Sequence, residues 1–372
     1  MTLDHSITCR FQKWTDWRVS KVSLARQATH MMQNPESRRI DIPGGPVTSL
    51  FFFADGKHIM CGCKDGSIRQ WRVSDWLEIK PVIKPDAIMN SIAVSPDGKW
   101  IASGGVDCKV TIWNATNHQK ASESAKQYQT KVTALDVSPD SSFIAAGSED
   151  GLMIVWRLES GEFSACPLKL RHPGGSRITS IKFSPSGDHF ASACSSWAGD
   201  AIRVWDSCTG HPLACLPSGI KPTYSLIWSH DGQRLFAGGQ RGSIRSFDIV
   251  GQSSPSAFHE GHGADSVTYL SISNNDRFLV AGSASGCSLS VWDVNTCQRI
   301  RPIRVQPTWN EVTAVAISPD DQHLFVGTID KKISILSLSD IVPATYFFHV
   351  CILLGLTTLT DFCSLPSVYH PS

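Results

Sequence analysis

The chain repeats one short pattern seven times at a nearly constant spacing. Each copy is a short run of residues with the alternating pattern of a β-strand, and it ends in a large apolar side chain. The seven end residues are Trp71, Trp113, Trp156, Trp205, Phe247, Trp292 and Leu336. Successive end residues are 42, 43, 49, 42, 45 and 44 positions apart. A period of this length is typical of repeated supersecondary units that bury their apolar faces against one another.

The second copy shows how one unit is built. Ile92–Val94, Trp100–Gly104 and Lys109–Trp113 are short alternating segments that read as strands. Between the first two lies Ser95–Gly98, a tight turn in which proline presets its own φ and glycine adopts a positive φ at low cost. Short strands separated by turns at this spacing predict an antiparallel meander.

A small meander cannot bury both of its faces alone, but units stacked radially cover one another and leave only short edges. The sequence therefore predicts an all-β protein, a seven-bladed β-propeller of antiparallel meander blades that occupies residues 38–340. Residues 1–37 are predicted to form a partly disordered N-terminal arm, and residues 341–372 a hydrophobic C-terminal tail.

Two copies end in a Trp-Asp dipeptide, at Trp205-Asp206 and Trp292-Asp293, and one begins with a Gly-His dipeptide, at Gly261-His262. Together with the seven-fold period, these dipeptides resemble the repeats of the WD40 family. The resemblance extends from about Pro46 to Leu338. It implies a rigid propeller that binds protein or peptide partners and performs no chemistry itself.

The resemblance also implies a hydrogen-bonded set in each blade, made of a histidine, a turn aspartate, a strand serine or threonine, and the tryptophan. The matching residues are Trp71, Trp113, Trp156, Trp205 and Trp292 in the core, Asp65, Asp107, Asp150, Asp200 and Asp330 in the turns, and His262. Repeat 5 has Gln240–Gly242 at the turn and repeat 6 has Ser285–Cys287, so we expect no complete set. Each neutral hydrogen bond lost costs only about 1 kcal/mol, so we expect a less stable propeller rather than a different fold.

A propeller also has to be closed between its last blade and its first. In the family that the repeats resemble, the last blade commonly takes its outer strand from the N-terminus. Arg38–Ile42 alternates and directly precedes the first inner strand, so we predict that it closes the ring beside Ile333–Leu336.

Candidate binding residues are those that depart from the repeat on the top face, where the connection into each blade and the turn between its second and third strands open. Repeat 4 inserts Trp197 there, repeat 5 replaces the turn aspartate with Arg241, and Trp309 lies in the connection into repeat 7. Loops on a rigid scaffold often carry binding residues. The alternatives are that Trp197 folds back over the neighbouring blade and that Arg241 is a solvated charge.

The tail from Ile341 to Thr360 contains no Asp, Glu, Lys or Arg. Its length would just span a bilayer, although Pro343 and His349 dilute it and no Lys or Arg follows Lys332. Three readings stay open: a strand on the propeller rim, a membrane anchor formed by residues 341–360, and a chain end outside the stable fold.

No catalytic, metal or cofactor motif emerges from the sequence. His259-Glu260-Gly261-His262 lacks the spacing of a zinc-binding helix, so a propeller enzyme is only a minor alternative. A net charge of +1 without a basic stripe gives no indication of nucleic-acid binding. The irregularly spaced cysteines predict a reducing compartment, cytoplasmic or nuclear, and the thiols of Cys61 and Cys63 are expected to diverge.

Overall fold

The computed structural model describes residues 38–342 apart from 86, 125–126, 165–166, 174, 197–201, 218, 221, 250, 252–254, 259–264, 284–287 and 305–310. Nearly all of the regular structure in this range is β-strand. The described residues from Arg39 onward belong to one compact unit.

Seven antiparallel sheets form the blades, and the strands of each blade are labelled A to D from the centre outward. Blade 1 contains Val47–Phe52, His58–Cys63, Ile68–Arg72 and Glu78–Ile83; blade 2, Met89–Val94, Trp100–Gly105, Val110–Asn114 and Lys120–Glu123; blade 3, Val132–Val137, Phe143–Ser148, Leu152–Glu159 and Leu168–Arg171; blade 4, Ile178–Phe183, His189–Cys194, Ile202–Asp206 and Pro212–Leu216. Blade 5 contains Thr223–Trp228, Arg234–Gly239, Ile244–Asp248 and Ser256–Ala257; blade 6, Val267–Ile272, Phe278–Ser283, Ser288–Asp293 and Arg299–Arg304; blade 7, Val312–Ile317, His323–Thr328, Lys332–Ser337 and Arg38–Asp41.

Three smaller elements complete the described structure. Glu162–Phe163 pairs with the end of strand C in blade 3, Gln240–Gly242 forms a 3-10 turn, and Leu338–Ile341 forms a single helical turn after blade 7. The A strands of successive blades contact one another all the way round, including those of blades 7 and 1. The seven-bladed β-propeller predicted from the period is confirmed.

Blade 7 takes its outer strand from the N-terminal side of the chain. Arg38–Asp41 lies beside Lys332–Ser337, where the closing-strand hypothesis places it. The backbone amide of Ile42 donates a 2.8 Å hydrogen bond to the carbonyl of Lys331. The Ile42 side chain is buried in a cluster that includes Val47 of blade 1 and Phe325 of blade 7, so apolar packing and backbone hydrogen bonding close the ring together.

The B strands lie deepest in the sheets, because the neighbouring blades cover both of their faces. All seven are buried at their last five positions. The fit leaves no room for larger residues: a Cβ added to Gly104 would lie 2.6 Å from Val132 Cγ1 of the next blade. A run of small and apolar residues is therefore required here, in place of the strict alternation of a half-buried strand.

The A strands share a bulge that links neighbouring blades. In every blade the register shifts between the first and third residues of strand A. The second residue is therefore unpaired and its side chain is available for other contacts. Thr133 Oγ1 donates to the carbonyl of Ile178 in the next blade at 2.6 Å, and Thr179 Oγ1 donates to that of Thr223 at 2.7 Å.

The A–B turns, on the opposite or bottom face, link other pairs of blades. One residue of each turn has a positive φ: it is glycine in blades 1, 2, 4 and 5, but Ser141, Asp276 and Asp321 in blades 3, 6 and 7. The Asp276 carboxylate accepts hydrogen bonds from the backbone amides of His230 and Asp231 in blade 5, at 2.8 and 3.1 Å. Where glycine is absent, a side-chain oxygen thus reaches the preceding blade.

Most of the tryptophans at the ends of the C strands lie in the core. Those fully buried are Trp71, Trp156, Trp205 and Trp292. Trp113 is only partly buried and packs at the edge of a cluster. The indole Nε1 of Trp113 donates to Ser103 Oγ, and that of Trp205 donates to Ser192 Oγ, each at 2.8 Å. These are two of the Trp–Ser links that the family resemblance implies.

The turn aspartates act locally. In the described B–C turns, the carboxylates accept hydrogen bonds from the turn or from the strand residue just before it, and these residues are Asp65, Asp107, Asp150 and Asp330. Asp65 Oδ1, for example, accepts from the amide and the hydroxyl of Ser67 at 2.9 and 2.6 Å. Asp200 and His262, the other predicted members of the set, lie outside the described residues.

The expectation that the Cys61 and Cys63 thiols diverge is wrong. Residues two apart on a strand point to the same face, because successive side chains alternate. Both thiols are buried, and their Sγ atoms are 3.6 Å apart. Burial raises the pKa of the Cys61 thiol well above its usual value, so this thiol is held in its neutral form.

The last described residues pack onto blade 7. Ile341 and Val342 are buried with Leu324 and Leu336 in one apolar cluster, so packing on the propeller continues two residues past the predicted boundary at 340. Residues 343–372 and 1–37 lie outside the described range, and with them the predictions for the tail and the arm. Among the residues that are described, no helix has the length and apolar character needed to cross a membrane.

Candidate protein-binding face

The top face is formed where strand A begins and strand B ends. The first residue of strand A pairs with the last residue of strand B, as Val47 pairs with Cys63. The D–A connections and the B–C turns therefore lie at the same end of each blade. A contact between blades supports this placement. A Cβ added to Gly66, in the B–C turn of blade 1, would lie 3.7 Å from the Cα of Ile88, in the D–A connection that leads into blade 2.

One pair of residues recurs around this face. The residue just after strand B donates its backbone amide to the carbonyl of the residue just before strand A, and we term these two the rim pair of a blade. The six described rim pairs are Pro46 and Lys64, Ile88 and Val106, Lys131 and Glu149, Arg177 and Ser195, Pro222 and Gln240, and Glu311 and Ile329, in blades 1, 2, 3, 4, 5 and 7. Equivalent backbone positions thus carry very different side chains.

Among the six described rim pairs, only that of blade 2 consists of two aliphatic residues. Ile88 is 51 % exposed and Val106 is 46 % exposed, and one backbone hydrogen bond of 3.1 Å joins them. In blade 3, the same two positions hold an ion pair, with Lys131 Nζ 3.0 Å from a Glu149 oxygen. Two β-branched side chains therefore face solvent side by side where the neighbouring blade presents charges.

Sequence reasoning missed Ile88 and Val106. Neither is aromatic, and neither lies in an insertion, so neither departs visibly from the repeat when the copies are read singly. The signal becomes visible only when the residues flanking strands A and B are compared blade by blade.

Arg241, a predicted binding residue, is exposed in the B–C turn of blade 5. Its backbone has φ 56° and ψ 37°, within the left-handed region that non-glycine residues seldom adopt. Its guanidinium makes no hydrogen bond or ion pair with any residue that the structure describes. The turn therefore holds a free cation out toward solvent at a cost in backbone energy.

Trp197 and Trp309, the two other predicted binding residues, lie outside the described residues. Both residues, and their grouping with Arg241, stay predictions.

A central depression of about 240 Å³ opens between the A strands. Its lining is rich in hydroxyl groups, contributed by residues such as Thr48, Ser91 and Tyr224. Its charged group is Lys182, whose Nζ lies 2.9 Å from Asp136 Oδ1 in the adjacent blade. The centre of the propeller is therefore polar but nearly neutral.

Within the described part of the chain, no three His, Cys, Asp or Glu side chains come together as a possible metal site. The imidazole of His118 is buried instead between blades, with Nε2 2.9 Å from Gln70 Oε1 and Nδ1 against the carbonyl oxygen of Pro81. This histidine links blade 2 to blade 1 and is part of the scaffold.

Comparison with known proteins agrees with this geometry. A sequence profile described as WD domain, G-beta repeat matches residues 38–72, 84–114, 123–157, 165–206, 253–293 and 300–336, more than half of the chain. The chain belongs to the WD40 family. Each matched WD40 repeat begins around the outer strand of one blade and continues through strands A to C of the next. Strands A to C of blade 5, with Arg241 in the turn between B and C, fall between the matched stretches.

Several curated WD40 relatives match at low identity. The guanine nucleotide-binding protein subunit beta of Arabidopsis thaliana is 23% identical over 312 residues, which is 78% of this chain and 80% of the relative. An F-box/WD-40 repeat-containing protein of Arabidopsis thaliana is 26% identical over 55% of this chain but only 37% of its own length. The pre-mRNA-splicing factor cwf17 of Schizosaccharomyces pombe is 28% identical over 42% of this chain and 44% of its own.

Proposed function

We propose that this WD40 protein is a non-catalytic scaffold that binds a protein or peptide partner through its top face. The observation that carries the proposal is the half-exposed aliphatic rim pair of blade 2, Ile88 and Val106. The names of the matched relatives, a G-protein subunit and a splicing factor among them, support a role in protein assembly.

Single exposed apolar residues are common on protein surfaces and need no explanation. The position of Ile88 and Val106 supports a binding role, because each of the other described rim pairs contains at least one polar or charged residue. Burying apolar surface contributes about 25 cal/mol per Å², so two adjacent β-branched side chains supply a useful anchor. They are also rigid, so little side-chain entropy is lost when a partner covers them.

Arg241 gives the proposal a second contact. A left-handed conformation costs a non-glycine residue about 1 kcal/mol or more, and glycine would adopt it freely. A strained and unpaired arginine, in the blade that the repeat profile does not match, is better suited to binding than to folding. Trp197 and Trp309 remain proposed contacts of the same face.

The test compares partner capture by matched variants. Co-purification from cell extract would use the wild-type chain, Ile88→Ser with Val106→Ser, and a control that removes two other exposed leucines, Leu77 (61 % exposed) and Leu213 (50 % exposed). We expect the top-face variant to lose partners that the control retains, with both melting like the wild type. Identical partner sets for all three proteins would contradict the top-face assignment.

Location belongs to the same proposal. No disulfide bond joins any of the seven described cysteines, which supports a reducing compartment, the cytoplasm or the nucleus. Fluorescence microscopy of the tagged full chain tests this, with a chain ending at Val342 as the comparison. Loss of a membrane pattern on that truncation would favour a tethered protein instead.

A further inference from the structure

We propose that a cleft between blades 1 and 2 binds a tyrosine side chain of a partner protein, with the phenol hydroxyl against the amide of Gln70. The cleft has a volume of about 400 Å³. It is lined by the A–B turns of both blades and by Ala115 and Thr116 in the C–D turn of blade 2. These turns lie at the bottom end of the blades, so the site is separate from the top face and goes beyond the function proposed above.

The cleft is open because His58 does not extend across it. His58 begins strand B of blade 1, and Trp100 begins strand B of blade 2. The Trp100 ring reaches the C–D turn of blade 3, where a Cβ added to Gly161 would lie 2.5 Å from Trp100 Cη2. The His58 ring is held over its own turn instead, with Nδ1 2.8 Å from Asp55 Oδ2. The space that an aromatic ring fills between blades 2 and 3 is therefore left open between blades 1 and 2.

Gln70 makes the inner end of the cleft polar. It directly precedes Trp71, and the equivalent residue in five other blades is aliphatic and buried: Ile112, Val155, Val204, Val291 and Ile335. Gln70 is 7 % exposed, and its Oε1 lies 2.9 Å from His118 Nε2. Its amide NH₂ makes no hydrogen bond with any residue in the described part of the chain. An unpaired donor on a buried side chain costs free energy, so a ligand that accepts from it recovers that cost on binding.

Blade 5 shows a related arrangement that is already occupied. Ser246 takes the position of Gln70 there, and a cleft of about 260 Å³ opens between blades 5 and 6. Arg234, at the start of strand B, crosses this cleft and donates to the carbonyl of Val294 at 3.3 Å. A group of the protein itself thus bridges the second cleft, whereas the first one presents an unpaired amide. The first cleft is the better binding site.

The walls favour an aromatic ring with a neutral polar end. Phe53 and Ile79 supply apolar surface, against which a ring packs well. A phenol hydroxyl can accept from the Gln70 amide, whereas a plain phenyl ring would leave that amide unpaired. Asp55 and Asp97 also line the cleft, and none of the described residues that line it is Lys or Arg. A phosphorylated tyrosine would therefore be repelled.

The outer part of the cleft is open to solvent. Thr116 is exposed, and the side chain of Asp55 is 44 % exposed. A free phenol would leave this outer part uncovered. A tyrosine side chain can enter while its own backbone stays outside and covers the opening, so we assign the site to a segment of a partner protein.

The test measures binding of capped amino acids to the full chain by saturation-transfer NMR. The probes are the N-acetyl amides of tyrosine, phenylalanine and phosphotyrosine, together with p-cresol. We expect the tyrosine amide to bind roughly 5-fold more tightly than the phenylalanine amide, because it adds a hydrogen bond to a buried donor. The phosphotyrosine amide should not bind. Tighter binding of p-cresol than of the tyrosine amide would indicate a free phenol and overturn the choice of a protein partner.

Two variants block the cleft. His58→Trp should abolish binding, because it supplies the ring that Trp100 supplies at the next junction, and the exposed ion pair that it removes contributes little to stability. His323→Trp is the matched control, the same change at the start of strand B in blade 7, and it should bind the tyrosine amide like the wild type. Thr116→Trp, at an exposed lining position, tests the site independently if His58→Trp lowers the melting temperature.

Gln70→Val introduces the residue found in blades 3, 4 and 6 and should bind the tyrosine and phenylalanine amides equally. Equal affinity of the wild type for these two amides, or binding of the phosphotyrosine amide, would overturn the assigned chemistry.

The location of the site is tested by the remaining outcomes. No binding of the tyrosine amide to the wild type at millimolar concentration would contradict the inference, as would binding that persists in His58→Trp and Thr116→Trp. The Ile88→Ser, Val106→Ser variant should bind the tyrosine amide like the wild type. Failure of the top-face proposal and failure of this one are therefore separate results.

Discussion

The carboxylate of Asp321 in blade 7 accepts a 2.6 Å hydrogen bond from the backbone amide of Asn274 in blade 6. Its other oxygen accepts from the amide of Asn275 at 3.1 Å. Asp321 has φ 56°, at the turn position where glycine occurs in four other blades. The residue therefore accepts an unfavourable backbone conformation in order to place a carboxylate over the neighbouring turn.

We expect Asp321→Gly to destabilise the protein by about 2–5 kcal/mol. Glycine relieves the backbone, a gain of about 1 kcal/mol, but two hydrogen bonds to a charged group are lost, and each contributes about 1.5–3 kcal/mol. Urea unfolding followed by tryptophan fluorescence measures the difference. Ser141→Gly is the control, because it loses one hydrogen bond of 3.2 Å and should be close to neutral. Equal losses of stability from the two changes would show that the Asp321 carboxylate does not hold the turns of blades 6 and 7 together.

Ser192→Ala should cost about 1–3 kcal/mol, because the buried indole N–H of Trp205 loses its acceptor. Ser103→Ala removes the same bond from Trp113, which is only partly buried, so water can replace the hydroxyl and the cost should be smaller. Thermal unfolding of both variants in one buffer checks the order. A larger loss from Ser103→Ala would contradict this explanation by burial.

Ile42→Ala should cost about 2–4 kcal/mol as a large-to-small change in a packed cluster. The side chain lies between blades 7 and 1, so the loss should appear as weakened closure of the ring. Ile88→Ala provides the control, since a half-exposed aliphatic residue should contribute little to stability. Hydrogen exchange should show faster exchange in Lys332–Ser337 only for Ile42→Ala, and uniform acceleration in all blades would argue against a local closing role.

Acid should weaken the A–B turns of several blades together. Burial alone would raise the pKa of Asp97, Asp140 and Asp231, but hydrogen bonds from the turn serines and from backbone amides outweigh it and lower the pKa of each below 3.8. A lowered folded-state pKa contributes stability that is present above pH 3.8 and lost as the pH falls through the folded value. We expect the denaturation midpoint to stay level down to about pH 4 and to fall as the pH is lowered further, and to fall less in Asp140→Asn. A midpoint that does not change below pH 4 would refute this explanation.

Arg241→Gly should separate stability from binding. Glycine adopts the left-handed conformation without strain, so we expect a stability gain of about 0.5–1 kcal/mol. Binding at the top face should weaken because the cation is lost. Melting temperature and partner capture are measured on the same preparation. If the variant neither gains stability nor loses partners, Arg241 is a solvated loop charge.

The repeat period predicted the fold well because it records a physical need: every blade has to bury its faces against the next. The ring closure by Arg38–Asp41 followed from the same need for a partner strand. Contacts between blades were harder to foresee. The Asp321 clamp depends on which turns are adjacent in space, and the rim pair of Ile88 and Val106 depends on comparing flanking positions that no single repeat makes conspicuous.

The pairing of Arg38–Asp41 with Lys332–Ser337 also has a consequence for how the protein is made. Two segments almost three hundred residues apart have to meet before blade 7 is complete, and closing so long a loop is slow. During synthesis, the early strand therefore leaves the ribosome long before its partner exists. Blade 7 can be completed only after Lys332–Ser337 has been synthesised, so Arg38–Asp41 has no partner strand in its own sheet until almost the whole propeller has been made.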